Sequence, residues 1–182
     1  MSLKELKPHL DRKQYIGILR YMTEEEDEMV FGVPVAASKN FLVLQEVSEF
    51  YLYGFSIIPM KAVQEVRRDA ADAYLEGIMR IEGLMDKIEN RHPLDLANWE
   101  SIFKGLMQTG LTVTIQCEDL GEDYFFIGQI KRVDADAVWI HHFDSEGVLS
   151  EAWDDVPYTD ITKVGFDEPY ANIFSKHLRN LN

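Results

Sequence analysis

The stretches "FGVPVAASKNFLVLQEVSE" (31–49) and "IGQIKRVDADAVWIHHFDS" (127–145) decide how this chain is read. Laid over one another with Gly32 on Gly128, they place Leu42 on Val138, Leu44 on Ile140 and Val47 on Phe143. Further on, "IPMKAVQEVRRD" (58–69) lies on "VPYTDITKVGFD" (156–167), with Pro59 on Pro157, Val63 on Ile161, Val66 on Val164 and Asp69 on Asp167. The first pair is offset by 96 residues and the second by 98, so two residues are inserted between them, near Gly147. Apolar positions recurring in one order at a near-constant spacing are the signature of an internal repeat. Two copies of one fold are expected, over 1–91 and 92–182.

Each copy opens on a short helix. In "LKELKPHLDRK" Leu3, Leu6 and Leu10 have helical spacing, and Pro8 restricts the segment to a loose turn or a late start. In "NWESIFKGLMQTG" Asn98 caps the helix, Trp99, Ile102, Phe103, Leu106 and Met107 form one apolar face, and Gly110 ends it. Strands are expected at 14–22 and 111–117, the latter alternating and rich in β-branched residues. An acidic turn follows in each, then a strand through the shared glycine, a third strand, a fourth at 50–58 or 148–156, and a short fifth. Helices close the copies at 73–91 and at 169–181, where Pro169 stands at a first helical position. Five short strands with tight polar turns behind a helix describe a small, strongly bent antiparallel barrel.

Of the 182 residues, 46% are hydrophobic and 12% aromatic, enough to fill a real core. No apolar run approaches the roughly 18 residues of a membrane helix, and no basic-then-apolar leader opens the chain. The lone Cys117 excludes an intramolecular disulfide and a cysteine-based zinc site. A cytoplasmic, bacterial protein without membrane contact is expected. The net charge is −14: residues 1–91 carry 12 basic and 16 acidic side chains, residues 92–182 carry 6 and 16. Phosphate backbones are bound by clustered Lys and Arg, so this acidity argues against nucleic acid. It leaves open a basic protein partner, which an acidic surface would steer.

"LTVTIQCEDLGEDYFFIGQIKRVDADAVWIHHFDSEG…VPYTDITKVGFD" resembles the Sm-like fold: helix, strand, acidic turn, a strand with a G-x-I element, a V-D-x-D-x-V turn, and a last strand ending in I-x-x-V. The resemblance covers about 14–69 and 111–167 and extends to uncharacterised bacterial proteins with tandem barrels; the general SH3-like barrel is the near competitor. It implies a mainly β chain with helices, made of two tandem five-stranded antiparallel barrels. It also implies assembly into rings and binding of single-stranded RNA, through a turn with Asp and Asn and a basic–Gly pair in the last turn. Here "VDADAV" (133–138) lacks the Asn, "ASKNFL" (37–42) lacks the Asp, and neither Trp153-Asp154-Asp155 nor Ser56-Ile57-Ile58 supplies the basic–Gly pair.

The adjacent His141 and His142 are the first place to look for chemistry. Neighbours in a strand point to opposite faces, so the two cannot converge on one ion. His142 shares a face with Val138 and Ile140, and His141 with Trp139 and Phe143. Their counterparts in the first copy are Gln45 and Glu46, so a structural or surface role is expected; a metal or proton-transfer role would need Asp134, Asp136 or Glu151 to supply the missing ligands. The acidic turns, Glu24–Glu28 and Glu118 to Asp123, lack the ligand spacing of a calcium loop and read as solvated. Cys117 reads as a buried small hydrophobe. No catalytic, cofactor or metal residue is assigned, and no enzyme activity is expected.

"EFYLYGF" packs Phe50, Tyr51, Tyr53 and Phe55 into seven residues, more than one small barrel can bury. Packing within the chain is expected to cover the outward set, with binding of a partner as the other outcome. The interaction candidates are Tyr51, Tyr53, Trp139, His141 and Trp153. The function expected is a non-enzymatic module that binds protein or self-associates; the alternative is RNA binding, with "VRRD" (66–69) and Arg20 as a small basic patch.

Overall fold

The computed structural model describes residues 3–23, 26–118 and 124–179. The described chain is mainly β, with ten strands and four α-helices, and it divides into two compact units, Met1–Pro93 and Leu94–Asn182.

The first unit runs α1 (Leu3–Asp11), β1 (Ile16–Tyr21), β2 (Asp27–Ala37), β3 (Phe41–Ser48), β4 (Tyr51–Pro59), β5 (Val63–Arg67) and α2 (Ala70–Ile81), with a 3₁₀ turn at Met85–Lys87. Its sheet is antiparallel in the order β5-β1-β2-β3-β4. Beyond Pro59 the chain turns tightly, with the Ala62 N–H on the Pro59 carbonyl, and β5 pairs with β1 and not with β4. The sheet is therefore not closed by a ladder.

Two apolar layers hold this unit. On the inner face Leu6 of α1 packs with Ile16, Ile18, Val30, Leu42, Leu44 and Ile58. On the outer face Met79, Met85 and Ile88 cover Tyr15, Val33 and Val47, with Phe31, Val35 and Leu52 at the margin. Pro8 lies inside α1, contrary to the shortened helix expected; it and Lys4, whose carbonyl loses the i+4 bond, are both exposed, which lowers the cost of the missing bond. The helix expected over 73–91 starts earlier and breaks earlier. Asp69 caps it in a reciprocal box with Asp72, and Gly83, at φ 67°, ends it with the Leu84 N–H on the Met79 carbonyl.

The second unit runs α3 (Trp99–Thr109), β6 (Thr112–Gln116), β7 (Phe125–Val133), β8 (Ala137–His142), β9 (Asp154–Pro157), β10 (Lys163–Phe166) and α4 (Pro169–Phe174), followed by a 3₁₀ turn at Ser175–His177. The order β10-β6-β7-β8-β9 repeats that of the first unit. Asn98 accepts the Ser101 N–H at the start of α3 and Gly110, at φ 71°, ends it. Ile102, Phe103 and Leu106 are buried, and Phe103 stacks on Tyr158 with centroids 5.8 Å apart. The fourth strand is shorter than the 148–156 expected: Ser150 donates its N–H to the His142 carbonyl, so residues 148–153 form an irregular loop before β9.

The registers recur from unit to unit. Gly32 opposes Glu46 as Gly128 opposes His142, and Phe41 opposes Pro59 as Ala137 opposes Pro157. The β2–β3 ladder slips between Pro34 and Ala36, and the β7–β8 ladder between Ile130 and Arg132, 96 residues on. The turns follow suit. Ser38 N–H bonds the Phe41 carbonyl as Asp134 N–H bonds that of Ala137, and Met60 N–H bonds the Asn40 carbonyl as Tyr158 N–H bonds that of Asp136. At Gly32 and Gly128 an added Cβ would run into the backbone carbonyl of Gln45 and of His141 respectively, so only glycine fits the close strand approach at either place.

Candidate functional site

Both histidines are hydrogen-bonded within their own unit, one on each face of β8. On the inner face His142 bonds Asp154 through Nδ1, as Glu46 accepts the Ser56 hydroxyl at the same rung of the first unit. Val138 and Ile140, which share that face, are fully buried. On the outer face His141 Nε2 lies 3.0 Å from the Ser150 carbonyl, as Gln45 Nε2 donates to the Gly54 carbonyl at 2.8 Å. The two rings point apart, each to a partner of its own. Asp134, a further ligand that a metal would need, accepts from both Arg132 (2.8 Å from Nε) and the Trp139 indole (2.8 Å). Among the described residues no three His, Cys, Asp or Glu side chains gather for an ion. Of the acidic turns, Glu24, Glu25, Asp119, Glu122 and Asp123 lie outside the described residues.

Cys117 is fully buried at the end of β6. Burial, joined by the charges of Asp160 and Glu118, pushes its thiol up to about 12. Since the thiolate is the reactive form, native protein at pH 8 is expected to resist a thiol-titrating disulfide reagent and to release one equivalent once denatured. Stoichiometric labelling of the native chain would contradict this placement.

The interaction candidates divide between the units. In the first, the ladder slips between Glu46 and Val47, opposite Gly54 at φ 136°, so β4 carries one extra residue. Leu52 and Phe55 both face outward under the unit's own cover, and Phe55 is 1% exposed. Tyr51 and Tyr53 escape that cover at 74% and 42% exposure, and Phe50 sits in the turn at φ 65°. The expectation that packing hides the outward aromatics therefore fails for these three.

In the second unit Trp139 and His141 stand two apart on the outer face of β8, and Asp155 of β9 is directly opposite Trp139. Trp153 precedes β9, in the loop at 148–153, where the ladder to β8 has ended at Ile140 and Asp154. The Arg132 guanidinium lies 5.0 Å over the Trp139 ring, while Trp153 is 49% exposed. Trp139 and His141 thus share one strand face, and Trp153 lies just beyond the end of the ladder. Asp155 and Arg132 join that face unforeseen by sequence reasoning; only the period-two spacing from Trp139 and Trp153 could have pointed to them.

The arginines weighed for RNA are occupied. Arg20 is fully buried, 2.6 Å from Glu28. Arg67 holds Asp72 at 2.9 Å and lies 4.8 Å over Phe31, and Arg68 holds Glu76 at 2.8 Å. No helix among the described residues is long and apolar enough to cross a membrane.

Fold and surface together define a mainly β chain that has, among the described residues, ten antiparallel strands, four α-helices and several exposed aromatic side chains. No protein-family model, curated protein or solved structure matches the chain.

Proposed function

We propose that the chain is a non-enzymatic interaction module, a duplicated pair of Sm-like or SH3-like barrels that works by binding protein, a second copy of itself included. The observation that carries this reading is the exposure of Tyr51, Tyr53 and Trp153 on or beside the fourth strand of each unit. Exposed aromatics of this kind anchor interfaces, because they bury much area at little entropic cost. Two further observations support it. Strands β5 and β9 lie at the ends of the sheet order, each with a ladder on one side only, and an open strand edge is a template for pairing. The recurring registers, bulges and turn bonds support the duplication.

RNA binding is the alternative, and its cations weigh against it. Arg20, Arg67 and Arg68 each answer a carboxylate, and the remaining surface is acidic. Light scattering of the purified chain, with affinity capture from the native cell, tests the proposal. The expected result is a mass above the 21.1 kDa of one chain, or a captured protein set, that diminishes in a Tyr51→Ser/Tyr53→Ser/Trp153→Ser variant. A monomer whose captured set is the same in wild type and variant, or which binds single-stranded RNA with a steep salt dependence, would overturn it.

A further inference from the structure

We infer that the exposed surface around Trp153, in the loop leading into β9, is a docking surface for a cationic segment of a protein partner, with an arginine or lysine of that segment lying on the Trp153 ring. The inference rests on the interaction-module reading and names the chemistry of the partner.

The first unit supplies the precedent. Phe55, opposite Gln45, has the Arg91 guanidinium 5.5 Å over its ring and the His92 ring edge-on at 5.9 Å. A cation over an aromatic face is attracted by the ring's quadrupole. The first unit thus fills this place on its outer face with two basic residues of its own chain. In the repeat the place of Phe55 falls to Trp153, which lies in the loop leading into β9, and its ring stands half in solvent. Among the described residues no cation or ring lies on Trp153. Trp139 carries Arg132 and Trp99 is buried, so Trp153 is the exposed indole left open among the described residues.

Charge selects the occupant. Glu151 and Asp155 stand two residues before and after Trp153 in the chain, both are exposed, and neither has an ion pair among the described residues. Arg132, which lies over Trp139, is committed to Asp134. With 16 acidic against 6 basic side chains over residues 92–182, a cationic segment is drawn to this surface, whereas nucleic acid or a phosphopeptide is repelled.

The test is calorimetric titration of the full chain with a capped peptide of arginines alternating with glycines, and with the same peptide carrying citrulline for arginine. Citrulline keeps the planar hydrogen-bonding group and loses the charge. The arginine peptide is expected to bind and the citrulline peptide not to. Trp153→Ala is expected to weaken binding about tenfold or more, and Glu151→Gln/Asp155→Asn to weaken it comparably. Tyr170→Ala and Glu82→Gln, an exposed aromatic and an exposed charge elsewhere, should leave it unchanged. Equal affinity for wild type and Trp153→Ala would reduce the effect to diffuse charge attraction and overturn the inference. Failure of the wild type to bind would overturn it as well. Neither failure touches the interaction-module reading, which is judged separately by mass and capture.

Discussion

Gly32→Ala and Gly128→Ala are each expected to destabilise the unit that carries them by roughly 3 kcal/mol, seen as an earlier denaturant midpoint. A Cβ at either glycine would collide with a main-chain carbonyl of the adjacent strand, Gln45 or His141, and not with a side chain that could swing aside. Relief requires the two strands to separate just where each ladder approaches its bulge, stretching hydrogen bonds on both sides. The same substitution at Gly77, inside α2 with nothing within 4 Å, should do the opposite. There alanine improves helix propensity and raises stability by up to about 1 kcal/mol. An unchanged midpoint for Gly32→Ala or Gly128→Ala would mean the strand approach is looser than the structure has it.

The second large effect is expected at Glu76. Its carboxylate is nearly buried between α2 and the start of β1, accepting the Tyr15 N–H at 2.9 Å and bonding Arg68 and Arg80, each at 2.8 Å. Burial alone would raise the carboxyl's pKa, but the bonds from Arg80 and Tyr15 and the charge of Arg68 outweigh it, so the value lies below the ordinary one. Glu76→Ala strands a buried N–H and a largely buried guanidinium, at a cost of about 3 kcal/mol. Because the folded-state pKa is the lower one, the stabilisation is fully present above the ordinary carboxylate range and is lost as the pH falls through the folded value. Wild type should therefore lose stability on acidification more steeply than Glu76→Gln, whose amide does not titrate. Parallel pH profiles for the two proteins would refute the network's role.

Much of this architecture was legible in single residues. Asn98 and Gly110 bracket a helix because a side-chain acceptor and a left-handed residue satisfy its open ends, and that chemistry is local. Pro59 and Pro157 mark the end of the fourth strand in each unit. What escaped depended on contacts remote in sequence. The hydrophobic stripe over 73–91 continues past Gly83, so its period could not report the break. The loop at 148–153 reads as strand because the competing bonds come from His141 and His142, which turn Ser150 aside. Tyr51, Tyr53 and Phe55 look alike in the sequence, and only the bulge at Gly54 decides which of them is covered.

The shared bulge has a consequence for how the chain reaches its native state. Two sets of strands with interchangeable registers could pair across units during folding, with β7 taking the place of β2. Such a hybrid would keep the recurring main-chain registers, so hydrogen bonding gives little protection against it. The outer-face side chains supply it. Val33 and Val35 lie against the cover provided by Met79, whereas the matching positions of β7 hold Gln129 and Lys131, both exposed and bonded to each other. In the hybrid that lysine would be driven beneath a helix, without water and beside methionine, an expensive place for a charge. Divergence of one strand face is thus a proofreading element, sorting native from crossed pairings before either unit is complete.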